Sequence, residues 1–527
     1  MQYIQGTNRD QTYFSTLEQH VAADNPVRII DSFVNKLDLQ KLGFSQTMVK
    51  TEGRPPYAPS LFLKLYLYGY LNKIRSSRKL EQECCRNIEL RWLMQELCPN
   101  YHTIADYRKQ YSEALKNLFK VYVHFLDELG LLGKQTIAVD GSKFRAVNSR
   151  KNNYNQKKID KHQAMVEDKA GSYLKELDEM DKDETDDSVL SYRKEEVEAA
   201  LQRLMERKIK YEELHQQLDN TEEKQISTTD PESRALIINK NIVEVAYNTQ
   251  AAVDAKHNLF VHAEATNTND CKALHRAITH AKNNMNLKKE DSLDVLSDKG
   301  YHTGAELQQC YDDNINTYVA FKEQSSVKHL QKEFLSTQFI YDKLQDSYIC
   351  PAGEILTSLN TWHYKKGEAG ETSYRFKTYG TNGCKNCSVK LHCIKLHKRV
   401  IQRSEYQDAV DRNNENIRQN VDYYKRRQSI CEHPFGTIKR QWGYTYTLMK
   451  GLKKVDGEMN LIMLVYNIKR TLSLVGFTKM LQALQTWEPN YRKVLRRLIS
   501  SQNRLYCRLL EKLFFTNNKN PLSLTAA

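Results

Sequence analysis

Long apolar runs are missing from this 527-residue chain. Even the longest, such as Leu461–Tyr466, fall far short of the ~18–20 residues a membrane-crossing helix needs. A secretory leader is missing too: the opening MQYIQGTNRDQTYF has no basic stretch followed by an apolar one. The cysteines do not form a paired set. Eleven is an odd number and seven of them are scattered, which with no leader argues for a reducing cytoplasm rather than a disulfide framework. Membrane and secreted classes are therefore not expected. What is present suffices for a folded protein: 40% hydrophobic and 27% charged residues, in a length that allows about three or four structural units.

The charge is unevenly placed. From Lys385 onward there are 27 basic and 10 acidic residues, a net +17, so the preceding 384 residues sum to −3 against a total of +14. A basic C-terminal portion on a near-neutral body suits a polyanion such as nucleic acid; the bland alternative is a solvated basic face.

Residues 1–130 read as helical. Pro59–Tyr70 is a dense apolar helix, and short helices with basic first turns follow it. Thr103 and Asp106 have capping-box spacing. From there Ile104, Tyr107, Tyr111, Leu115, Leu118, Tyr122, Phe125 and Leu129 recur at steps of three and four, which predicts one helix ending at Gly130. These helices suit a helix-turn-helix DNA reader or a structural cap equally well. Thr136–Val139 reads as a strand ending at Asp140. Residues 155–222 read as a charged helical hairpin arm, with eight acidic residues among the twelve of Glu176–Asp187 at its tip. Strand character returns in the hairpin Ile242–Val253 and Asn258–Ala265, then at Leu293–Leu296 and Asn316–Phe321, with helices at Lys272–Asn284 and Glu306–Tyr311 between them. This order predicts a mixed α/β core over 134–322, interrupted by the arm and completed by a helix after Tyr423.

Asp140 and Asp298 each close a predicted strand, at the sheet edge where α/β active sites gather. Two carboxylates brought together repel unless cations neutralise them, and hard oxygen donors suit Mg²⁺ or Mn²⁺. An Asp opening a turn after a strand is also commonplace. The third element is YKRRQSICEHPFGTIK (424–439), where Glu432 lies among Arg and Lys in a helix-prone stretch. Such cations keep a carboxylate ionised and suit a phosphodiester; the alternative is a salt-bridged surface helix.

Taken together, the chain resembles the DDE-type transposases of bacterial insertion sequences, which have a ribonuclease H-like core. The resemblance is carried by GRPPYAPSLFLKLYLYGYLNKIRSSRKLE (53–81), HTIADYRK (102–109), AVDGSKFRAVNSR (138–150), TDPESR (229–234), AYNTQAAVD (246–254), LSDKGYHTGAEL (296–307) and RQSICEHPFGTIKRQWGY (427–444). It implies that Asp140, Asp298 and Glu432 are a catalytic triad holding two Mg²⁺ (or Mn²⁺) ions for DNA cleavage and strand transfer. It also implies that residues 1–130 help bind the terminal inverted repeats, and that the protein works as a homodimer on DNA, including target DNA, in the bacterial cytoplasm. Against the wider group's signature Y-x2-R-x3-E-x6-K, this chain reads Tyr424-x2-Arg427-x4-Glu432-x6-Lys439, one residue longer between Arg and Glu. A step of five rotates Arg427 about 140° from Glu432 on a regular helix; Gln428 takes the four-back position, and the step of seven returns Lys439 to the face of Glu432. Lys439 is then expected near the scissile phosphate, with Arg427, Lys143, Arg145 and Lys299 as further DNA contacts. The alternatives are a two-metal nuclease without strand transfer and an inactive DNA-binding descendant.

Four cysteines, Cys350, Cys384, Cys387 and Cys393, follow C-x33-C-x2-C-x5-C in a segment spanning 323–420. A C-x2-C knuckle with cysteines of a second loop can hold one tetrahedral Zn²⁺, His392 and His397 being substitute donors; the alternative is reduced, unligated thiols. The remaining segments are 421–475, carrying the Glu432 helix and completing the core, and 476–527, a basic helical tail in which Arg492, Arg496 and Arg497 are expected on the DNA path.

Overall fold

A computed structural model describes residues 10–12, 14–44, 55–180, 182, 188–220, 224–239, 242–321, 332–366, 372–394 and 396–491. The expectations for Arg492, Arg496 and Arg497 fall outside these residues.

The central sheet contains five strands that the sequence pattern anticipates: β1 (Thr136–Arg145), β2 (Ile242–Asp254), β3 (Leu259–Thr266), β4 (Leu293–Ser297) and β5 (Ile315–Val319). Their spatial order is β3-β2-β1-β4-β5. β2 is antiparallel to both neighbours, whereas β1, β4 and β5 run parallel. This is the mixed ribonuclease H-like sheet that the resemblance implies. A short strand, Arg234–Asn239, adds to the first residues of β2. The helices of the core are α1 (Leu274–Asn284), α2 (Gly304–Asp312), α3 (Gln407–Gln419), α4 (Val421–Gly436) and α5 (Leu452–Val475). The parallel strands β4 and β5 are connected through α2, as the crossover of parallel strands requires.

β1 is longer than its apolar run suggests. It continues through Asp140 to Arg145 because β2 pairs with it along the whole length, from Ile137↔Asp254 to Arg145↔Ala246. Backbone bonds from Arg145 N to Thr445 O (3.1 Å) and from Thr447 N to Arg145 O (2.8 Å) then fasten the segment after α4 to its end.

The N-terminal helices pack on this core and share one hydrophobic cluster with it, from Val21 to Trp487. Pro59–Leu71 begins with Pro at its first position and buries every residue from Leu61 to Tyr70, as its all-round apolarity requires. The long helix expected from Thr103 is two helices, Tyr101–Gln110 and Ser112–Glu128, capped by Asn100 rather than Thr103. The apolar stripe runs unbroken through Tyr111, so periodicity does not register the break there. Gly130 does take the left-handed conformation (φ +66°) that ends the second helix. Gly457 of α5 lets this second helix approach closely: a Cβ there would stand 2.6 Å from Ser112 Cα.

The arm is a pair of helices, Gln156–Met180 and Ser188–Asp219. Val166, Val197, Leu201, Leu204, Leu214 and Leu218 are buried in it, while Ile209 is exposed. The cysteine-bearing segment is a second antiparallel sheet, with strands such as Ser347–Ile349, Thr372–Gly380 and Val400–Ser404, around a small core of Phe339, Tyr348, Leu356, Tyr379 and Ile401. One of the scattered cysteine pairs, Cys85 and Cys98, is joined as a disulfide, which the odd count and the scatter did not suggest.

Candidate active site

The strand register sets the site. Val139 of β1 is opposite Ser297 of β4, and the parallel pairing stops there; Ser297 Oγ donates to Val139 O at 2.9 Å. The next residue on each strand is Asp140 and Asp298, so the two carboxylates emerge side by side. Asp140 Oδ1 accepts from its neighbour Gly141 N (2.9 Å). Asp298 caps the turn Lys299–Tyr301 by accepting from Gly300 N (2.8 Å).

A third carboxylate, which the sequence did not single out, stands beside them. Asp270 accepts from Asn248 Nδ2 and Gln250 Nε2 at 2.7 Å each and from Lys143 Nζ at 3.0 Å. It is wedged between two glycines: a Cβ on Gly141 would collide with its Oδ1, and one on Gly300 would touch its Oδ2 at 3.5 Å. Tyr301 OH donates to Gln250 Oε1, extending the network inward. Only the N-T-N-D turn of the sequence hints at it, and such turns are common.

α4 lies across this edge. Arg427 Nη1 is 3.9 Å from Asp140 Oδ2, and buried Cys431, one turn on, faces the same way. Glu432 is exposed, and its Oε2 accepts from Gln428 Nε2 at 3.2 Å. The extra residue in the signature thus divides the helix face: Arg427 turns to Asp140, and Gln428 turns to Glu432. Pro434 lies inside α4, and the chain continues as a wide π turn, Thr437–Gln441. That turn breaks the seven-residue return expected for Lys439. Lys439 turns inward instead, donating to Lys143 O at 2.7 Å and lying over the Phe144 ring. Lys143 is engaged by Asp270, while Arg145 and Lys299 are exposed.

These contacts decide the charges. Burial raises the Asp140 carboxyl to about 6; Arg427 opposes this, and the charges of Asp298 and Asp270 add to it. Burial also acts on Asp270, but its hydrogen bonds and Lys143 outweigh it and hold the group below the usual carboxylate range. Burial and the charge of Lys143 lower the Lys439 ammonium to about 8. The edge is therefore short of positive charge at Asp140, which suits a divalent cation. Asp140, Asp298 and Glu432 do not have ligand atoms all within 4.8 Å of one another; among the described residues, the group of three that does is His262, Glu264 and His280.

The four cysteines line one small cavity with Phe339, Leu356 and Arg399. Burial raises the Cys393 thiol, Arg399 opposes this, and the nearby thiols of Cys384, Cys350 and Cys387 add to it. No three of the sulfurs lie within 4.8 Å of one another.

The site is thus a pair of carboxylates at the edge of a mixed α/β sheet of ribonuclease H-like strand order. Two parts of the chain match known families. Residues 15–110 match the family described as Transposase domain (DUF772), and residues 349–472 match Transposase DDE domain. Over those two spans the chain is similar to transposases of the DDE type. The second span contains the four cysteines, Arg427, Glu432 and Lys439; Asp140 and Asp298 lie outside both. No curated protein matches. Among solved structures, a piggyBac transposase synaptic complex with hairpin DNA aligns over 95% of this chain and 87% of its own, at 7% identity and a TM-score of 0.30.

Proposed function

We propose that the protein cleaves DNA at the ends of an insertion sequence and joins them to a target, using Asp140, Asp298 and Glu432. The observation that carries this is the register that sets Asp140 beside Asp298 at the end of the parallel strands, with the Glu432 helix laid across them. Glu432 sits on the solvent side of that helix, where it accepts from Gln428 and is open to an incoming ion or DNA. Two Mg²⁺ or Mn²⁺ ions held by these carboxylates would supply nucleophile activation and leaving-group stabilisation. The raised Asp140 carboxyl, opposed by Arg427 and by the Gly141 amide on Oδ1, fits such ions.

The chain's own residues do the remaining work. Asp270 holds Lys143 away from Asp140. Arg427 keeps one cation at the edge before DNA arrives. Lys439, packed on the end of β1, would meet a phosphate at that edge, with exposed Arg145 and Lys299 as further contacts. Residues 1–130 contact the terminal repeats, and two copies of the chain bring the two ends together. Cys350, Cys384, Cys387 and Cys393 at that cavity would hold a structural Zn²⁺ as thiolates. Among the described residues no helix is long and apolar enough to cross a membrane.

The test is a cleavage assay on DNA carrying the element's ends. Asp140→Asn, Asp298→Asn and Glu432→Gln should each abolish cutting while DNA binding survives; a variant that cuts like the wild type overturns its assignment. Supplying a pre-cleaved end separates the rivals, because a nuclease without strand transfer leaves it unjoined.

A further inference from the structure

A second cluster of ligand-type side chains lies apart from the carboxylate edge, between β3 and α1. His262 and Glu264 are two apart on β3, so they share a face. His280 comes down on that face from α1. Glu264 Oε2 is 4.0 Å from His262 Nε2 and 3.9 Å from His280 Nδ1, and the three ligand atoms all lie within 4.8 Å of one another. His262 is 4% exposed. Its Nε2 is fully buried, points at Glu264 and has no hydrogen-bond partner, an arrangement that costs free energy unless something occupies the gap.

We infer that His262, Glu264 and His280 form a binding site for a nitrogen-preferring divalent cation such as Zn²⁺. Two imidazoles and one carboxylate select Zn²⁺ and its transition-metal neighbours over Mg²⁺. Metal–ligand bonds of about 2.0–2.2 Å in a tetrahedron place ligand atoms about 3.4 Å apart, so each needs to move inward by about half an ångström. Both imidazoles are held neutral, as ligation requires: burial lowers His262 well below its ordinary value and takes His280 to about 4. Glu264 has one oxygen committed to Arg276, leaving Oε2 for the ion. His280 is 42% exposed, which gives an entry path and leaves a coordination position open to solvent.

Other cations surround the site. Lys116 is paired with Asp456 at 2.8 Å, and Arg276 with Glu264. Burial and the charge of Lys116 lower the Lys120 ammonium. An ion here would pin α1 to β3 through His280, on the helix that follows the Asp270 turn.

The experiment compares the full-length wild type with His280→Ala and Glu264→Gln, each freed of metal by chelation and titrated with Zn²⁺ in equilibrium dialysis. The wild type should bind one more Zn²⁺ per chain than either variant. Both variants keep all four cysteines, so whatever those bind cancels in the difference. Zn²⁺ should also raise the melting temperature more for the wild type than for His280→Ala. His280 lies near the surface, so His280→Ala decides alone if Glu264→Gln fails to fold. Equal zinc stoichiometry in the wild type and His280→Ala overturns the site and leaves a bridging water as the occupant of the gap.

Discussion

Consecutive helices on one sheet have opposite designs. α5 buries fifteen of its 24 residues, polar ones included, whereas α4 buries four of 16. Glu458 of α5 is fully buried and takes bonds from Tyr70 OH (3.2 Å), Leu448 N (2.9 Å) and Met449 N (3.2 Å), with Arg75 at 3.6 Å. Asn467 and Asp456 bond the backbone of β3 at Phe260 and Ala265. α5 is thus a spine that joins the N-terminal helices to the sheet. α4 gives up packing to present Arg427, Gln428 and Glu432 at an open edge. Stability and chemistry are carried by different helices, and substitutions should separate them.

The largest effect expected is on the spine. Glu458→Ala leaves Arg75 and two backbone amides without their buried partner and should cost about 3–5 kcal/mol in denaturant unfolding. Gly457→Ala comes next. Alanine favours a helix by about 1 kcal/mol, but the new Cβ meets the backbone of Ser112, so a net loss of about 1–3 kcal/mol is expected. On α4 the expected change in stability is smallest: Glu432→Gln should unfold within about 0.5 kcal/mol of the wild type, because the residue is exposed. A large loss there would make α4 a second spine.

A pH profile sharpens the same contrast. If the Lys439 ammonium serves the reaction, cleavage should fall as pH rises through about 8, where the proton leaves. Lys439→Arg stays charged and should lose that alkaline limb. A limb unchanged in Lys439→Arg assigns it to another group.

Much of this layout is legible in the residues. The β-type runs give all five strands of the sheet, and strand ends give the Asp140–Asp298 pair, because a strand and its exit leave a local signature. Features made by convergence are not legible. Asp270 reads as a turn residue until β1 and β2 bring Lys143, Asn248 and Gln250 to it. His262 and Glu264 read as ordinary positions on one strand until α1 delivers His280. The π turn at Thr437–Gln441 reverses the facing of Lys439 without a mark beyond Pro434. The small sheet around Tyr348 and Tyr379 goes unseen because its strands are short and interrupted by turns.

The central claim is that the edge formed by Asp140 and Asp298 holds divalent metal. The most direct measurement is Mn²⁺ binding, followed by electron paramagnetic resonance, in the wild type and in Asp140→Asn and Asp298→Asn. Each variant retains His262, Glu264, His280 and the cysteines, so the difference reports the edge alone. The account predicts that each variant binds Mn²⁺ at least about tenfold more weakly there, in line with the loss of an oxygen ligand. Mn²⁺ binding equal to the wild type in both variants would contradict it.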